Sequence, residues 1–447
     1  MRSFFDQDLF LSTDAAKRIY AEIRDLPIID YHCHLDAAMI EADARFSDLG
    51  ELWLAGDHYK WRAMRMCGID EAFITGEESF ERKLEKYAEV LPKIPGNALY
   101  YFSHMELERI FGIREPLTPE SVARVRATAN EKLASLSVRS LLRDFRVEYI
   151  ATTDDPTDSL SHHGTYGETR VCPTFRPDKI YALEDGYLSA LAKASGIATD
   201  TLSGVLEALQ NRLDFFVSRG CRISDHGFSR FPKHYADRAE AEALFARRKT
   251  LSEEERDAIF GFLLLFLTRE YKKRGILMQI HFNVVRNNNP EMLRRCGVDA
   301  GFDLIDEEQS VRDLIAFLAK TPDEERPETV LYTLNDNNLS ALAAVTGAFR
   351  HVRMGAAWWF NDTKNGILRN LDILGEYAAL GTHLGMLTDS RSFASYVRFD
   401  FFRRLLAEHL GALVDRGEYD EASAVTVARD VAYFNIKKLL CPEESDT

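Results

Sequence analysis

Eight short runs of apolar and β-branched residues recur along this chain of 447 residues, and longer amphipathic stretches separate them. Such alternation predicts parallel βα units, because the chain must cross back over the sheet before each new parallel strand. Eight units are the number that closes a (β/α)8 barrel. The sequence therefore predicts an α/β fold, a barrel of the TIM type. The runs are Pro27–His34, Val147–Asp154, Val171–Phe175, Cys221–His226, Ile276–Phe282, Thr329–Asn335, Val352–Trp358 and Leu384–Asp389.

The spacing between the first two runs is much wider than the others. Residues 35–146 are charged, carry several aromatics and have a helical pattern. We interpret them as a mainly helical insertion after strand 1, packed over the barrel mouth; a separate helical domain is the alternative. Residues 1–34 would then supply an N-terminal helix and strand 1. Residues 147–447 would supply the other seven βα units of the barrel.

The charge balance narrows the classes of partner. Lys and Arg total 56 and Asp and Glu total 71, which leaves a formal net charge of −15. This surplus argues against a nucleic-acid partner, since phosphate binding needs Lys and Arg concentrated on one face. It does not exclude an anionic small molecule, because a few well-placed arginines can hold a carboxylate.

Three further features predict a cytoplasmic protein without membrane contact. The 6 cysteines are scattered without CxxC spacing, which is typical of reduced thiols. The first residues lack the apolar core of a signal peptide. The longest apolar run, Phe260–Leu267, is far shorter than the roughly 20 residues that span a bilayer. The sequence leaves the oligomeric state open, including a homo-oligomer.

Histidines and an aspartate stand where predicted strands end. The first run ends in His32 and His34, which lie two residues apart and so point the same way on a strand. His281 ends the fifth run and Asp389 ends the eighth. Because strand ends meet at one face of a barrel, these groups could bind a single Zn²⁺ or Mn²⁺ ion. Hydrogen-bonded or packed histidines, and a helix N-cap for Asp389, are the structural alternatives.

Groups that could contact a substrate follow other predicted strands. Arg176 follows the third run and Arg391 follows the eighth, so together they could clamp a carboxylate. His226 could contact substrate or relay a proton, and Trp358 could form part of a sugar-binding wall. Salt bridges between loops, support from behind the site and ordinary aromatic packing are the respective alternatives.

Several motifs, taken in order, resemble one known family. They are PIIDYHCHLD, DHYKWR, PTFRPD, HFNVVRNNN, AWWFND and LTDSRSF. Together they resemble uronate isomerase (glucuronate isomerase) of the amidohydrolase superfamily, from about residue 4 to residue 441. The two histidines and the late aspartate mark only the superfamily, whereas DHYKWR and TDSRSF are more specific to the isomerases.

The resemblance implies a distorted (β/α)8 barrel with one divalent metal, usually Zn²⁺. It implies interconversion of D-glucuronate with D-fructuronate, and of D-galacturonate with D-tagaturonate, in bacterial uronate catabolism. By motif, His281 matches the superfamily position on strand 5. The other implied roles are metal ligation by His32, His34 and Asp389, carboxylate binding by Arg176 and Arg391, and active-site groups at His58 and Tyr59.

An enediol route for this reaction needs a base at C2, an acid at C1 and stabilisation of an oxyanion. We expect Asp389 to handle the hydroxyl proton and Tyr59 the carbon-bound proton, with a cation lowering the Tyr59 pKa from about 10. A direct hydride shift is an alternative chemistry. Two alternative functions are a mononuclear metal-dependent hydrolase, such as a deaminase or lactonase, and a non-catalytic uronate-binding protein.

Overall fold

Short strands alternate with longer helices in the computed structural model, which describes residues 5–306 and 311–441. Residues 1–4 and 442–447, at the ends of the predicted segments, lie outside the described residues. The strands are β1 (Ile28–Asp30), β2 (Val147–Ala151), β3 (Gly164–Tyr166), β4 (Thr169–Cys172), β5 (Thr174–Phe175), β6 (Ile223–Gly227), β7 (Leu277–Phe282), β8 (Val284–Val285), β9 (Leu304–Ile305), β10 (Thr329–Thr333) and β11 (Val352–Met354).

Helices cover most of the remaining described chain. They are α1 (Asp14–Ile23), α2 (Ala37–Glu41), α3 (Leu49–Leu54), α4 (His58–Met66), α5 (Phe80–Val90), α6 (Ala98–Phe111), α7 (Val122–Leu133), α8 (Val138–Asp144), α9 (Asp185–Ser195), α10 (Leu202–Ser218), α11 (Arg238–Ala246), α12 (Glu253–Arg274), α13 (Pro290–Cys296), α14 (Val311–Ala319), α15 (Leu339–Ala348), α16 (Lys364–Tyr377), α17 (Val397–Asp415), α18 (Glu421–Arg429) and α19 (Asn435–Leu440). The segment between β1 and β2 is thus helical, from α2 to α8.

Parallel strands follow one another in two hydrogen-bonded sheets. One has the order β1-β2-β4-β3, with β3 antiparallel, and the other has the order β11-β10-β7-β6-β5. Only Pro173 separates β4 from β5, although β4 pairs with β2 and β5 pairs with β6. Because proline has no N–H to donate, the ladder is interrupted there and the chain passes from one sheet to the other.

The eighth predicted strand, Leu384–Asp389, is not a strand in the structure. Gly385 and Asp389 have φ values of 76° and 46°, in the left-handed region that ends an extended conformation. The segment still lies beside β1, because the Asp389 N–H donates to His32 O at 3.0 Å. The Thr388 N–H and hydroxyl donate to the Asp30 carboxylate at 2.9 and 2.6 Å. One backbone bond and two bonds to the Asp30 carboxylate thus stand in place of a regular ladder here.

The parallel strands are buried on both faces, as all six residues of β7 illustrate. One face contributes Ile29, Tyr149, Ile223, Leu277 and Val330 to a shared apolar cluster. The other faces pack under helices, of which α12 is the longest of the described helices at 22 residues. The strands are therefore held between this apolar cluster and the helices.

Among the described residues, no helix is both long and apolar enough to cross a bilayer. All six cysteines belong to the described part of the chain, and no disulfide joins any two of them.

We predict that Gly355→Ala destabilises the protein. A Cβ at Gly355 would lie 2.2 Å from an atom of the Tyr332 ring, which itself stacks on His281 at 4.3 Å. Overpacking of this kind typically costs about 1–3 kcal/mol of unfolding free energy, measurable as a lower urea midpoint. The control is Gly375→Ala in α16, where a Cβ meets nothing within 4 Å. Equal midpoints for the two variants would contradict the prediction.

Candidate active site

A cavity of about 700 Å³ opens where the parallel strands end. Its wall combines residues that follow β1, β5, β7 and β11 with others from α4 and from the segment after residue 384. It thus brings together residues that lie hundreds of positions apart in the sequence. The predicted site residues that line it are His32, His34, His58, Arg176, His281, Trp358, Asp389 and Arg391.

One oxygen of Asp389 lies between the first two histidines. Asp389 Oδ1 is 3.2 Å from His32 Nε2 and 3.1 Å from His34 Nε2. The two imidazole rings are edge to face, with centroids 5.3 Å apart. The left-handed backbone at Asp389 turns its side chain toward them, a conformation that aspartate tolerates better than most residues. The predicted set His32, His34 and Asp389 is therefore assembled.

The other Asp389 oxygen accepts two aromatic donors. Tyr59 OH donates to Oδ2 at 3.3 Å and Trp358 Nε1 donates at 3.0 Å. Burial raises the pKa of Asp389, but hydrogen bonds from His32 and His34 outweigh it and hold that pKa well below its usual range. Trp358 therefore orients the carboxylate in addition to lining the cavity.

Tyr59 and His58 reach the site from the first turn of α4. The N-cap residue Asp57 accepts the Tyr59 N–H at 3.0 Å and fixes the start of this helix. Burial, and then the charge of Arg391, lower the pKa of His58 to about 4. Burial, and then the charge of Asp389, raise the pKa of Tyr59 well above 10. An apolar setting and a neighbouring carboxylate both disfavour the phenolate, whereas the sequence reasoning expected a cation to favour it.

Asp225 is a central site residue that the sequence reasoning missed. It is fully buried, its Oδ1 lies 2.7 Å from His281 Nδ1 and its Oδ2 lies 3.1 Å from Arg176 Nη1. Burial raises its pKa, but Arg176 and then His281 outweigh that effect and lower it strongly. The sequence could have identified it, because Asp225 is the residue before His226 at the end of the fourth run. Neighbouring residues on a strand point to opposite faces, so Asp225 faces away from His226.

His226 lies on the other side of β6, outside the cavity lining. It is fully buried, and its Nδ1 is 3.1 Å from Tyr181 OH. Burial lowers its pKa to about 4. The structure therefore differs from the predicted substrate contact, because the alternation of side chains along the strand turns His226 toward the helices.

The arrangement of donor atoms fits a divalent metal. Two groups could hold an ion: His32 with His34 and Asp389, and His32 with Asp225 and His281. The hydrogen bond to Asp225 assigns the His281 proton to Nδ1, and its buried Nε2 has no partner among the described residues. Metal-binding histidines commonly donate their other nitrogen to a carboxylate in this way.

The two predicted carboxylate-binding arginines are already paired with aspartates. Arg176 is pinned, because its Nε lies 2.9 Å from Asp178 and its Nη1 contacts the buried Asp225. Arg391 lies 3.0 Å from Asp299, and their side chains are 29% and 50% exposed. An exposed pair of this kind is weak. Arg391 is thus the more available of the two for a substrate carboxylate.

Further cavity residues come from segments without a clear periodic pattern. Arg286 is held by Asp303 at 3.1 Å, and Asn287 donates its N–H to the same carboxylate at 2.7 Å. Both follow β7 within the HFNVVRNNN motif, which was their only sequence signal. The additional lining residues include Thr153, Asp154, Asp155, Asp158, Asp178, Lys179, Arg286, Asn287, Val298, Asp299 and Trp359.

Histidine and carboxylate groups at the ends of parallel strands, beside arginine and aromatic walls, define an α/β enzyme with a candidate metal site. A family model described as glucuronate isomerase matches residues 1–440. The chain belongs to this family. A uronate isomerase from Lachnoclostridium phytofermentans is 40% identical, over 98% of this chain and 99% of the relative.

Two solved structures agree with this assignment. The crystal structure of uronate isomerase from Thermotoga maritima has a TM-score of 0.95 at 31% identity, over 98% of this chain and 100% of that one. That of glucuronate isomerase from Caulobacter crescentus has a TM-score of 0.92 at 26% identity, over 99% of this chain and 98% of that one. The resemblance seen in the sequence is confirmed, and the family assignment favours an isomerase over the hydrolase and binding-protein alternatives.

We predict that His34→Ala and Asp389→Asn weaken binding of a divalent metal. Each variant removes one donor from a three-residue group. The loss of metal affinity should therefore exceed the roughly 10- to 100-fold loss typical of a residue that only supports a ligand. Metal content by plasma mass spectrometry and affinity by chelator competition measure it. His351→Ala is the control, because His351 pairs with Glu328 outside the cavity. Unchanged metal affinity in both site variants would rule out this group as the metal site.

Proposed function

We propose that this chain is an aldose–ketose isomerase that interconverts D-glucuronate with D-fructuronate and D-galacturonate with D-tagaturonate in hexuronate catabolism. The family match over residues 1–440 carries the proposal. Its support from geometry is a single cavity that holds imidazole, carboxylate and guanidinium groups. A cytoplasmic location is consistent with six cysteines that form no disulfide, and we expect no nucleic-acid partner.

We further infer that the parallel strands form a distorted (β/α)8 barrel. The strand order from β1 to β11, linked through Pro173, supports this inference. Residues 384–390 would complete the circuit, since their backbone bonds to the chain after β1, as in His34 N to Ser390 O at 2.9 Å. Residues 35–146 would be an insertion over the mouth, and α4 within it would supply His58 and Tyr59.

One divalent metal ion, Zn²⁺ or Mn²⁺, is the cofactor that this donor set suits. His32 Nε2, His34 Nε2 and Asp389 would hold it, with His281 Nε2 as a fourth ligand. When bound, the ion supplies Lewis-acid polarisation of the sugar carbonyl. The hydrogen bond from His281 to Asp225 would keep that imidazole oriented.

Arg391 is the residue that we assign to the substrate carboxylate. Its present partner, Asp299, is half exposed, so the substrate could replace one carboxylate with another at little cost. Arg176 would contribute positive charge from a fixed position, because Asp225 and Asp178 hold its guanidinium. Local cations thus attract an anion to a protein whose net charge is −15.

The pKa directions revise the roles expected for proton transfer. Neutral His58 lines the cavity, so it can accept the proton from C2 and return it at C1. Tyr59 stays protonated and is suited to donate to an oxygen on which negative charge develops. Asp389 stays ionised and can take the hydroxyl proton that moves between the two oxygens.

We predict that Arg391→Met raises the KM for D-glucuronate by roughly 10- to 100-fold, because a hydrogen bond to a charged group is worth about 1.5–3 kcal/mol. Steady-state kinetics measures the change. Arg353→Met is the matched control, since Arg353 pairs with Glu328 away from the cavity. A KM unchanged in Arg391→Met would reassign the carboxylate to another residue.

We predict ketose formation from both uronates, lost on chelation and restored by Zn²⁺ or Mn²⁺. A coupled reductase assay on apo and reloaded protein measures it. In D₂O, proton transfer should place solvent deuterium at C1 of the ketose, and His58→Gln should slow turnover and exchange together. Absence of turnover with either sugar, together with hydrolysis of a lactone, would overturn the isomerase proposal. Turnover without deuterium would instead indicate a hydride shift.

A further inference from the structure

Arg398 is a buried cation beside the site, and none of the steps proposed above uses it. It lies in the first turn of α17 and is 2% exposed. Its ion pair is loose: Nη1 lies 3.6 Å from Asp362 Oδ2, and Nε has no hydrogen-bond partner among the described residues. Burying a guanidinium is costly, and a loose buried ion pair does not offset that cost. The other contacts of Arg398 must therefore account for its burial.

The guanidinium holds the peptide that precedes Asp389. Arg398 Nη1 donates to Thr388 O at 2.8 Å. From the opposite side, the Thr388 N–H donates to Asp30 at 2.9 Å. Asp389 then adopts φ 46°, in the left-handed region that few residues other than glycine, asparagine and aspartate adopt. Arg398 therefore restrains the chain at the residue before this left-handed conformation.

The same guanidinium packs against Tyr59. Its carbon lies 5.2 Å from the centre of the Tyr59 ring and 4.8 Å from that of Phe102. Both distances are typical of a cation–π contact. Tyr59 OH in turn donates to Asp389 Oδ2 at 3.3 Å. Arg398 thus touches the ring of the donor and the peptide next to the acceptor of one hydrogen bond.

The surrounding charges keep Arg398 ionised. Burial lowers its pKa, but Asp362, and less strongly Asp57, reverse this and raise it above the usual value. Asp57 is itself bound to Lys60 at 2.7 Å and caps α4. Arg398 is therefore linked electrostatically to the helix that carries Tyr59.

We propose that Arg398 is a positioning residue that holds the Tyr59 ring and the Thr388–Asp389 peptide at the separation their hydrogen bond requires. The inference rests on the proposed isomerase function, because Tyr59 and Asp389 are reacting groups there. Lysine retains the charge, but its single ammonium lacks the planar fork that serves Thr388 O and the ring face together.

The test compares Arg398→Lys with Arg403→Lys. Arg403 is a matched control on the same helix: it is 4% exposed and donates to the backbone oxygens of Arg24 and Pro27 at 3.2 and 2.7 Å. Pro27 precedes β1, whereas the site follows it, so this contact lies at the opposite end of the strand. We expect kcat for D-glucuronate to fall roughly 10- to 100-fold in Arg398→Lys, because a small misplacement of reacting groups reduces the rate by about this factor. The KM and the amount of bound metal should be nearly unchanged. Arg403→Lys should retain its kcat.

A double-mutant cycle with Tyr59→Phe separates positioning from a purely structural role. If Arg398 acts through Tyr59, then Tyr59→Phe costs less kcat in the Arg398→Lys background than in the wild type. The proposal is overturned if the losses of kcat in Arg398→Lys and Tyr59→Phe are additive. It is also overturned if Arg398→Lys and Arg403→Lys lose the same kcat and the same melting temperature. Arg398→Gln, which keeps a planar amide donor, enters the same cycle if the lysine variant does not fold. Absence of wild-type turnover overturns the proposed function; wild-type turnover with an unaffected Arg398→Lys overturns only the positioning role.

Discussion

The Asp389 carboxylate is the contact on which the site depends. Its two oxygens receive His32 and His34 on one side and Tyr59 and Trp358 on the other. These four partners come from the end of β1, from α4 and from the segment after β11. A residue in a left-handed conformation can keep such a position only if its neighbours restrain it, and Asp30 and Arg398 supply that restraint through Thr388.

Around this carboxylate, opposite charges are paired rather than segregated. Asp225 joins Arg176 to His281, so one buried anion couples the wall that would bind substrate to an imidazole of the candidate metal group. Arg391 is the exception in this arrangement, because its partner Asp299 is half exposed and weakly held. In the proposed function, an anionic substrate would exchange with the Asp299 carboxylate at Arg391, while the buried pairs stay intact.

Much of this site was predictable because its residues follow apolar runs. Seven runs contain strands at or near the expected places, and residues at or just after the ends of six of them line the cavity. The alternation of side-chain direction along a strand was harder to use. Of the adjacent residues Asp225 and His226, the sequence reasoning chose His226 as a site residue, and His226 faces the helices. Strand ends read from composition are uncertain by a residue, and such a shift reverses the face on which a side chain lies.

The sequence by itself determined the α/β class, the order of the strands and the family, since apolar periodicity and local motifs encode these. It also placed the histidine pair and Asp389 among the candidate ligands. Tertiary structure alone decided that the last run near residue 384 is not a strand, that burial and Asp389 raise the pKa of Tyr59, and which arginine has the more exposed partner. These properties depend on burial and on charges brought together from distant parts of the chain, and no local pattern records either.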